Sequence, residues 1–271
     1  GFSISMAVIP PFFLALINRL GWRSAYVFLG VLVWVIIFPL MLLIYKDQPA
    51  DVGQEMDGEQ VPDTQQPTEI ELKGYSFTAQ QARQTASYWI VLINHALWAM
   101  IITAVFFNLL SIFGSLGITP IVAAATYTTY AGASLLTQLA LGPLANKGPL
   151  QILLMASMAL LAGGVGVLTL ATTPMIAHGY AILIGISTGL ISLVGGTLLP
   201  RYFGREHLGK LRGTVLTAQV AGSSLGPFIT GLLFDLTGSF QISLWIFVGL
   251  LVPAGLASLW AIQPPVPEQA G

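Results

Sequence analysis

From Gln84 to Asn146 the chain contains no Asp, Glu, Lys or Arg. The same holds from Gly148 to Pro200 and from Gly213 to Phe234. Water-soluble domains carry charge at about a quarter of their residues; here the figure is 8%, against 55% apolar. Uncharged runs of that length do not suit the surface of a soluble globule. They suit a chain whose solvent is lipid. A spanning helix needs about 20 mainly apolar residues, at about 1.5 Å each across a hydrocarbon core about 30 Å thick. Segments that meet this lie at 1–18, 24–45, 89–112, 121–144, 150–170, 176–198, 213–233 and 241–262. None alternates with the period of two that a membrane barrel strand requires. The expected fold class is an all-α polytopic membrane protein.

The charged residues sort by loop. With the spans numbered alternately, Lys46, Lys73, Arg83, Lys147, Arg201, Arg205, Lys210 and Arg212 fall on one side, and only Arg19 and Arg23 on the other. By the positive-inside rule the first side is cytoplasmic, and both ends of the chain lie there, in the inner or plasma membrane. The long polar stretch 46–88 holds Asp47, Asp51, Glu55, Asp57, Glu59, Asp63, Glu69 and Glu71. It reads as an acidic linker. Near its end Thr78 and Gln81 have capping-box spacing, so a short helix is expected over Ala79–Ser87. The organisation is two spans (1–45), the linker (46–88), a six-helix bundle (89–262) and a cytoplasmic tail (263–271). The chain opens at Gly1 directly into an apolar segment. It reads as part of a larger two-bundle protein, with the rest of the N-terminal half as a partner. Short loops lead one to expect consecutive helices as antiparallel neighbours.

Helical positions three, four and seven apart share a face. Four spans carry polar stripes at that spacing: Asn94, Trp98, Ile101 and Asn108, with His95 beside them; Tyr127, Tyr130, Ser134 and Gln138; Thr188, Ser192 and Gly195; Gln219, Ser223, Gly226 and Thr230. Unpaired amides are costly in hydrocarbon. The striped spans should therefore turn inward around a polar cavity, leaving 24–45, 150–170 and 241–262 to meet lipid. Any single Ser or Thr more often only glues helices together; the bulkier Gln138 and Gln219 are the stronger cavity candidates. Gly185 with Gly189, and Gly222 with Gly226, form small-xxx-small pairs that let helices touch.

Several motifs resemble the major facilitator superfamily. The linker resembles its central cytoplasmic loop. The turn Gly142-Pro143-Leu144-Ala145-Asn146-Lys147-Gly148 resembles its cytoplasmic loop signature, with Asn146 where an Asp is usual. Arg201-Tyr202-Phe203-Gly204-Arg205, Arg212-Gly213, Gly226-Pro227 and Gly21-Trp22-Arg23 resemble segments of its monocarboxylate and oxalate/formate branch. The resemblance implies helices five to twelve of a twelve-helix secondary transporter that alternates access around a midplane site. Lys147, Arg201, Arg205 and Arg212 sit where short loops approach helix ends; with Gly142 and Asn146 of the turn they are read either as a closed cytoplasmic gate, cations complementing helix C-termini, or as residues that only fix topology. Where that branch carries an Asp and an Arg on its eighth helix, Ser134 and Gln138 stand here. A small anion is therefore expected to meet no fixed positive charge in this half.

No cysteine, no buried carboxylate and three scattered histidines leave neither a nucleophile–base set nor a metal site. That argues against an enzyme, a metal or a cofactor, and no basic run suggests nucleic acid. The expected function is secondary transport of a small organic solute, a carboxylate or a neutral metabolite, with lipid as surrounding partner. The alternative is a transport-inactive sensor on the same fold. His95 is the one candidate for carrying a coupling proton.

Overall fold

A computed structural model describes residues 2–44 and 76–265. The acidic part of the linker and the end of the tail lie outside them. In chain order the helices are α1 (Phe2–Leu20), α2 (Trp22–Ile44), α3 (Ala79–Arg83), α4 (Ala86–Ser115), α5 (Pro120–Lys147), α6 (Leu150–Leu168), α7 (Pro174–Phe203), α8 (Leu208–Thr237) and α9 (Gln241–Ala257). A 3₁₀ turn, Ser258–Trp260, follows α9. Six of them (α2, α4, α6, α7, α8 and α9 with its turn) are long and apolar enough to cross a membrane. α5 has the length, at 28 residues, but is richer in Thr, Tyr and Gln. α1 contains Pro10 and Pro11, and its apolar part, Val8–Leu20, is shorter than a span.

The chain divides into two compact units, one of them Phe12–Gly74 and the other Tyr75–Gly271 with Gly1–Pro11. In the first, Gly21 makes a one-residue turn between α1 and α2 at φ +78°, a conformation open to glycine at little steric cost. Phe13 then meets Tyr26 edge-on at 5.0 Å. The rest of α2 offers its apolar side chains outward, Trp34 and Leu42 about 70% exposed, as suits a surface that lipid covers.

In the second unit α5 and α6 both pack along α7, α9 packs on α6, and α4 runs along α8. Consecutive α4 and α5, or α7 and α8, touch only lightly. The expectation that sequential helices are the main neighbours holds for α6 with α7 but not for α4 with α5 or α7 with α8, where glycine faces rather than loop length select the close pairs. A Cβ on Gly185 would lie 2.5 Å from the Tyr130 carbonyl oxygen, and one on Gly189 2.6 Å from Thr137 Cβ. On α8, Gly222 and Gly226 lie against the carbonyls of Ala96 and Met100 in the same way. These are the small-residue contacts that join helices where no hydrophobic force acts between them.

The plain helix α6 does not simply face lipid. Half of its spanning window is buried, against 11% for the striped α8. α6 lies between α7 and α9, whereas α8 packs closely on α4 alone. Buried Ser157 of α6 exchanges hydrogen bonds with Ser187 of α7: each hydroxyl donates to the other residue's carbonyl, at 3.0 and 2.8 Å.

The linker end of the bundle is tied by local chemistry. Thr78 and Gln81 make the expected capping box. The short helix nevertheless stops at Arg83, because Thr85 caps a new helix by accepting from Tyr88 N–H. Phe77 N–H donates to the Phe203 carbonyl at 2.9 Å, and their rings meet edge-on. Ser87 hydroxyl donates to the Ile262 carbonyl, which holds the chain after α9 against α4.

Candidate functional site

Three helices frame a cavity within the six-helix bundle, each through residues one and two turns apart. α4 supplies Val91, His95 and Trp98; α7 supplies Ile191, Ser192, Gly195 and Leu199; α8 supplies Arg212, Val215, Leu216 and Gln219. The volume is about 430 Å³, of the size that small-molecule sites occupy. At about 1.5 Å per residue, His95 lies about 14 Å along α4 from Ala86, and Gln219 about 17 Å along α8 from Leu208. The cavity thus lies along the bundle on the side of its centre nearer the linker end, and it opens outward where Ser192, Arg212 and Leu216 are exposed. It exists because α7 meets α8 only lightly, while Gly195 and Gly196 leave the facing wall of α7 without side-chain bulk.

Its polar groups are unevenly satisfied. His95 is buried, its Nδ1 2.8 Å from the Val91 carbonyl oxygen. A carbonyl has no proton to give, so Nδ1 carries the hydrogen and donates it. The other ring nitrogen, Nε2, is buried with no partner, and a Cβ on Gly195 would lie 3.0 Å from it. Trp98 Nε1 is likewise buried and unpartnered. One turn off this face, Asn94 donates through Nδ2 to the Ile90 carbonyl at 2.8 Å, while its Oδ1 has no partner. Buried polar atoms are nearly always paired. Three orphans within five residues of one helix, two of them on side chains that line a void, therefore mark a place where a ligand or water supplies the missing bonds.

Of the residues singled out in the sequence, the cavity gathers His95, Trp98, Ser192 and Gln219. Ser192 donates to the Thr188 carbonyl and Ser223 to that of Val220, each satisfied on its own helix. Asn108 donates to the Ala104 carbonyl at 2.9 Å. A second cluster lies on the far side of Gly185. Tyr127 donates to the Phe106 carbonyl at 3.2 Å, the rings of Tyr127 and Tyr130 pack on Phe106, and Tyr130 shares a hydrogen bond with Thr188. On α5, Gln138 donates to Ser134 at 3.1 Å. Asn94, Asn108, Tyr127, Tyr130, Ser134, Gln138, Thr188 and Ser223 do not line the cavity.

Arg212 bears on the expectation that an anion meets no fixed positive charge in this half. Instead Arg212 lines the cavity with Gln219, and its Nη2 donates to the Gly196 carbonyl at 3.0 Å. The signal was available: Arg212 and Gln219 are seven apart, two turns on one face. It was missed because a cation near a loop reads first as a topology marker.

The Major Facilitator Superfamily model matches residues 1–173 and, separately, 91–271. The chain belongs to the major facilitator superfamily. It is thus an integral membrane protein of a transporter family. No curated protein matches it in sequence.

The superfamily turn after α5 differs from its expected form. Gly142 and Pro143 stay within α5, which runs to Lys147, because a proline removes one helix bond without forcing an end. The turn is left to Gly148 and Pro149. A Cβ on Gly148 would lie 2.6 Å from the Leu144 carbonyl oxygen. Arg201, near the end of α7, donates to the Gly148 carbonyl at 2.9 Å, so one of the expected gate cations does tie two helix ends together. Arg205 is exposed in the turn between α7 and α8, and the side chains of Asn146 and Lys147 lie outside the described set.

Proposed function

We propose that this chain moves a small organic carboxylate across the membrane as a secondary transporter, by alternating access, with the cavity of α4, α7 and α8 forming its half of the substrate site. One observation carries the reading: a void of ligand size, open on one face of a lipid-solvated bundle, lined by Arg212, Gln219 and two side chains with unpartnered nitrogens. A guanidinium at one end suits a carboxylate. The indole N–H and the amide suit its remaining oxygens. The light contact between α7 and α8 supports movement of one pair of helices against the other. The uneven distribution of Lys and Arg supports a cytoplasmic linker end, with the Arg201–Gly148 bond among the contacts that hold this end closed.

The test is exchange in proteoliposomes. Vesicles preloaded with unlabelled lactate should accumulate external labelled lactate through the wild-type protein. The neutral isostere lactamide should exchange poorly. Equal and negligible movement of both across every vesicle preparation would remove the carboxylate reading.

A further inference from the structure

We propose that the α4 wall of this cavity selects a hydroxyl group: the site takes a 2-hydroxy acid in preference to the 2-oxo acid or the unsubstituted acid, with His95 Nε2 and Trp98 Nε1 holding the two sides of one ligand O–H. The proposal rests on the transport reading above and narrows its substrate class. The two side chains stand three residues apart on α4, and both line the cavity. Side chains at that spacing are neighbours on one helix face, with about 5–6 Å between their Cβ atoms. Their unpartnered nitrogens are chemically opposite. His95 commits its Nδ1 hydrogen to the Val91 carbonyl, so in the neutral ring Nε2 only accepts. The indole Nε1 of Trp98 only donates. Both nitrogens are buried without a partner.

A hydroxyl is the simplest complement to that pair, because one oxygen both donates and accepts. A ketone oxygen can accept from Trp98 but sets its lone pairs against Nε2. A methylene meets neither nitrogen. The remaining polar lining groups do not draw this distinction. Ser192 spends its hydrogen on the Thr188 carbonyl. The Gln219 amide carries both a donor and an acceptor and can turn to suit any of the three acids. Arg212 only donates, and it suits the carboxylate that all three share. A site whose buried groups expect a hydroxyl rejects the analogue that lacks one, because those groups are then left unpaired. Gly195 fits the same reading. A Cβ there would lie 3.0 Å from Nε2 and meet only the imidazole, so glycine keeps the α7 side of this acceptor clear. Both nitrogens are covered by their neighbours, and the light contact of α7 with α8 lets α7 draw back as the ligand enters.

Calorimetric binding of lactate, pyruvate and propionate to the purified full chain tests this. Wild type should bind lactate about tenfold more tightly than pyruvate and about a hundredfold more tightly than propionate, at about one factor of ten for each buried group left unpaired. The variants should remove different steps of that series. W98F should bring pyruvate level with propionate and leave lactate ahead of both. H95F should bring lactate level with pyruvate and leave both ahead of propionate. G195A should act like H95F, because its methyl caps Nε2 while His95 itself is kept, so the step at Nε2 is read even if H95F does not fold. A merely structural role for either side chain would weaken all three acids alike. Equal affinity for lactate and propionate, in a protein that still exchanges lactate, would overturn the proposal and leave the transport reading standing. Lactamide and propionamide separate the converse case. Tighter binding of lactamide than of propionamide supports hydroxyl selection even if the carboxylate reading falls. No difference within either pair, whether because water alone meets the two nitrogens or because none of the four binds, would sink it.

Discussion

Helices α4 and α8 are joined like α5 and α7, yet only the first pair sets unpartnered polar side chains against a cavity. Each pair closes on two glycines four residues apart that touch main-chain or Cβ atoms of the facing helix. In the α5–α7 pair most polar groups are satisfied within it: Thr137 and Thr188 on backbone carbonyls, Gln138 on Ser134. The Tyr180 hydroxyl of α7 is left without a partner, and on α4 so are the Tyr88 hydroxyl, Asn94 Oδ1, His95 Nε2 and Trp98 Nε1. Close packing is therefore shared between the pairs, and so are unpartnered groups. Only those of His95 and Trp98 belong to side chains that line the cavity, and that difference, rather than polarity itself, points to the site.

The shared element should break most severely. In G226V the new side chain would meet the Met100 carbonyl, and in G185V that of Tyr130. Main chain cannot turn aside as a flexible side chain does, so each variant should lose about 3 kcal/mol, the upper end for overpacking. Thermal unfolding in detergent should show similar losses for the two. If one is tolerated, the pairs are not equivalent in packing and the comparison fails at its base.

The unshared element predicts an asymmetry between two glutamines. Gln219 lines the cavity and Gln138 is bonded to Ser134. Q219L should raise the KM for lactate exchange about tenfold, the order expected from losing a hydrogen bond to a charged group. Q138L should stay within about twofold. A loss in Q138L as large as that in Q219L would bring the α5–α7 pair into the site. A smaller effect is expected at Arg212, which is exposed at the cavity mouth. Solvent screens it, so R212Q should weaken lactate about three- to fivefold, within the range of exposed ion pairs. Raising the salt concentration should shrink that difference.

Six of the eight spans, the capping box at Thr78 and both glycine pairs were legible in the sequence because they depend on local spacing and on the absence of charge. The stripe on α8 was legible only in part. Its lower end, Gln219, lines the void, but Gly226 and buried Thr230 pack against or beside α4, with Thr230 bonded to the Gly226 carbonyl. A stripe shows that a face avoids lipid; it does not say whether water or another helix covers it. The same limit explains Tyr127 and Tyr130, whose spacing matches a cavity wall but whose rings pack on Phe106. The pairing of α4 with α8 was hidden for a different reason. It is set by surface fit between helices far apart in the chain, which loop length does not report.

Ser157 offers the smallest and most specific test of this distinction between satisfied and unsatisfied polar groups. It is fully buried on α6, a helix with no polar stripe, and it exchanges hydroxyl–carbonyl bonds with Ser187. If such a residue is glue, S157A should cost about 0.6 kcal/mol, the average for an interhelical hydrogen bond in a membrane protein. The substitution leaves no void larger than a hydroxyl. The Ser187 hydroxyl keeps the Ser157 carbonyl as its acceptor, so the loss should stay small. Lactate KM should not move, because neither serine lines the cavity. A shift in KM with unchanged stability would mean that the α6–α7 contact helps set the position of α7 against the cavity. The satisfied half of the bundle would then take part in the control of the unsatisfied half.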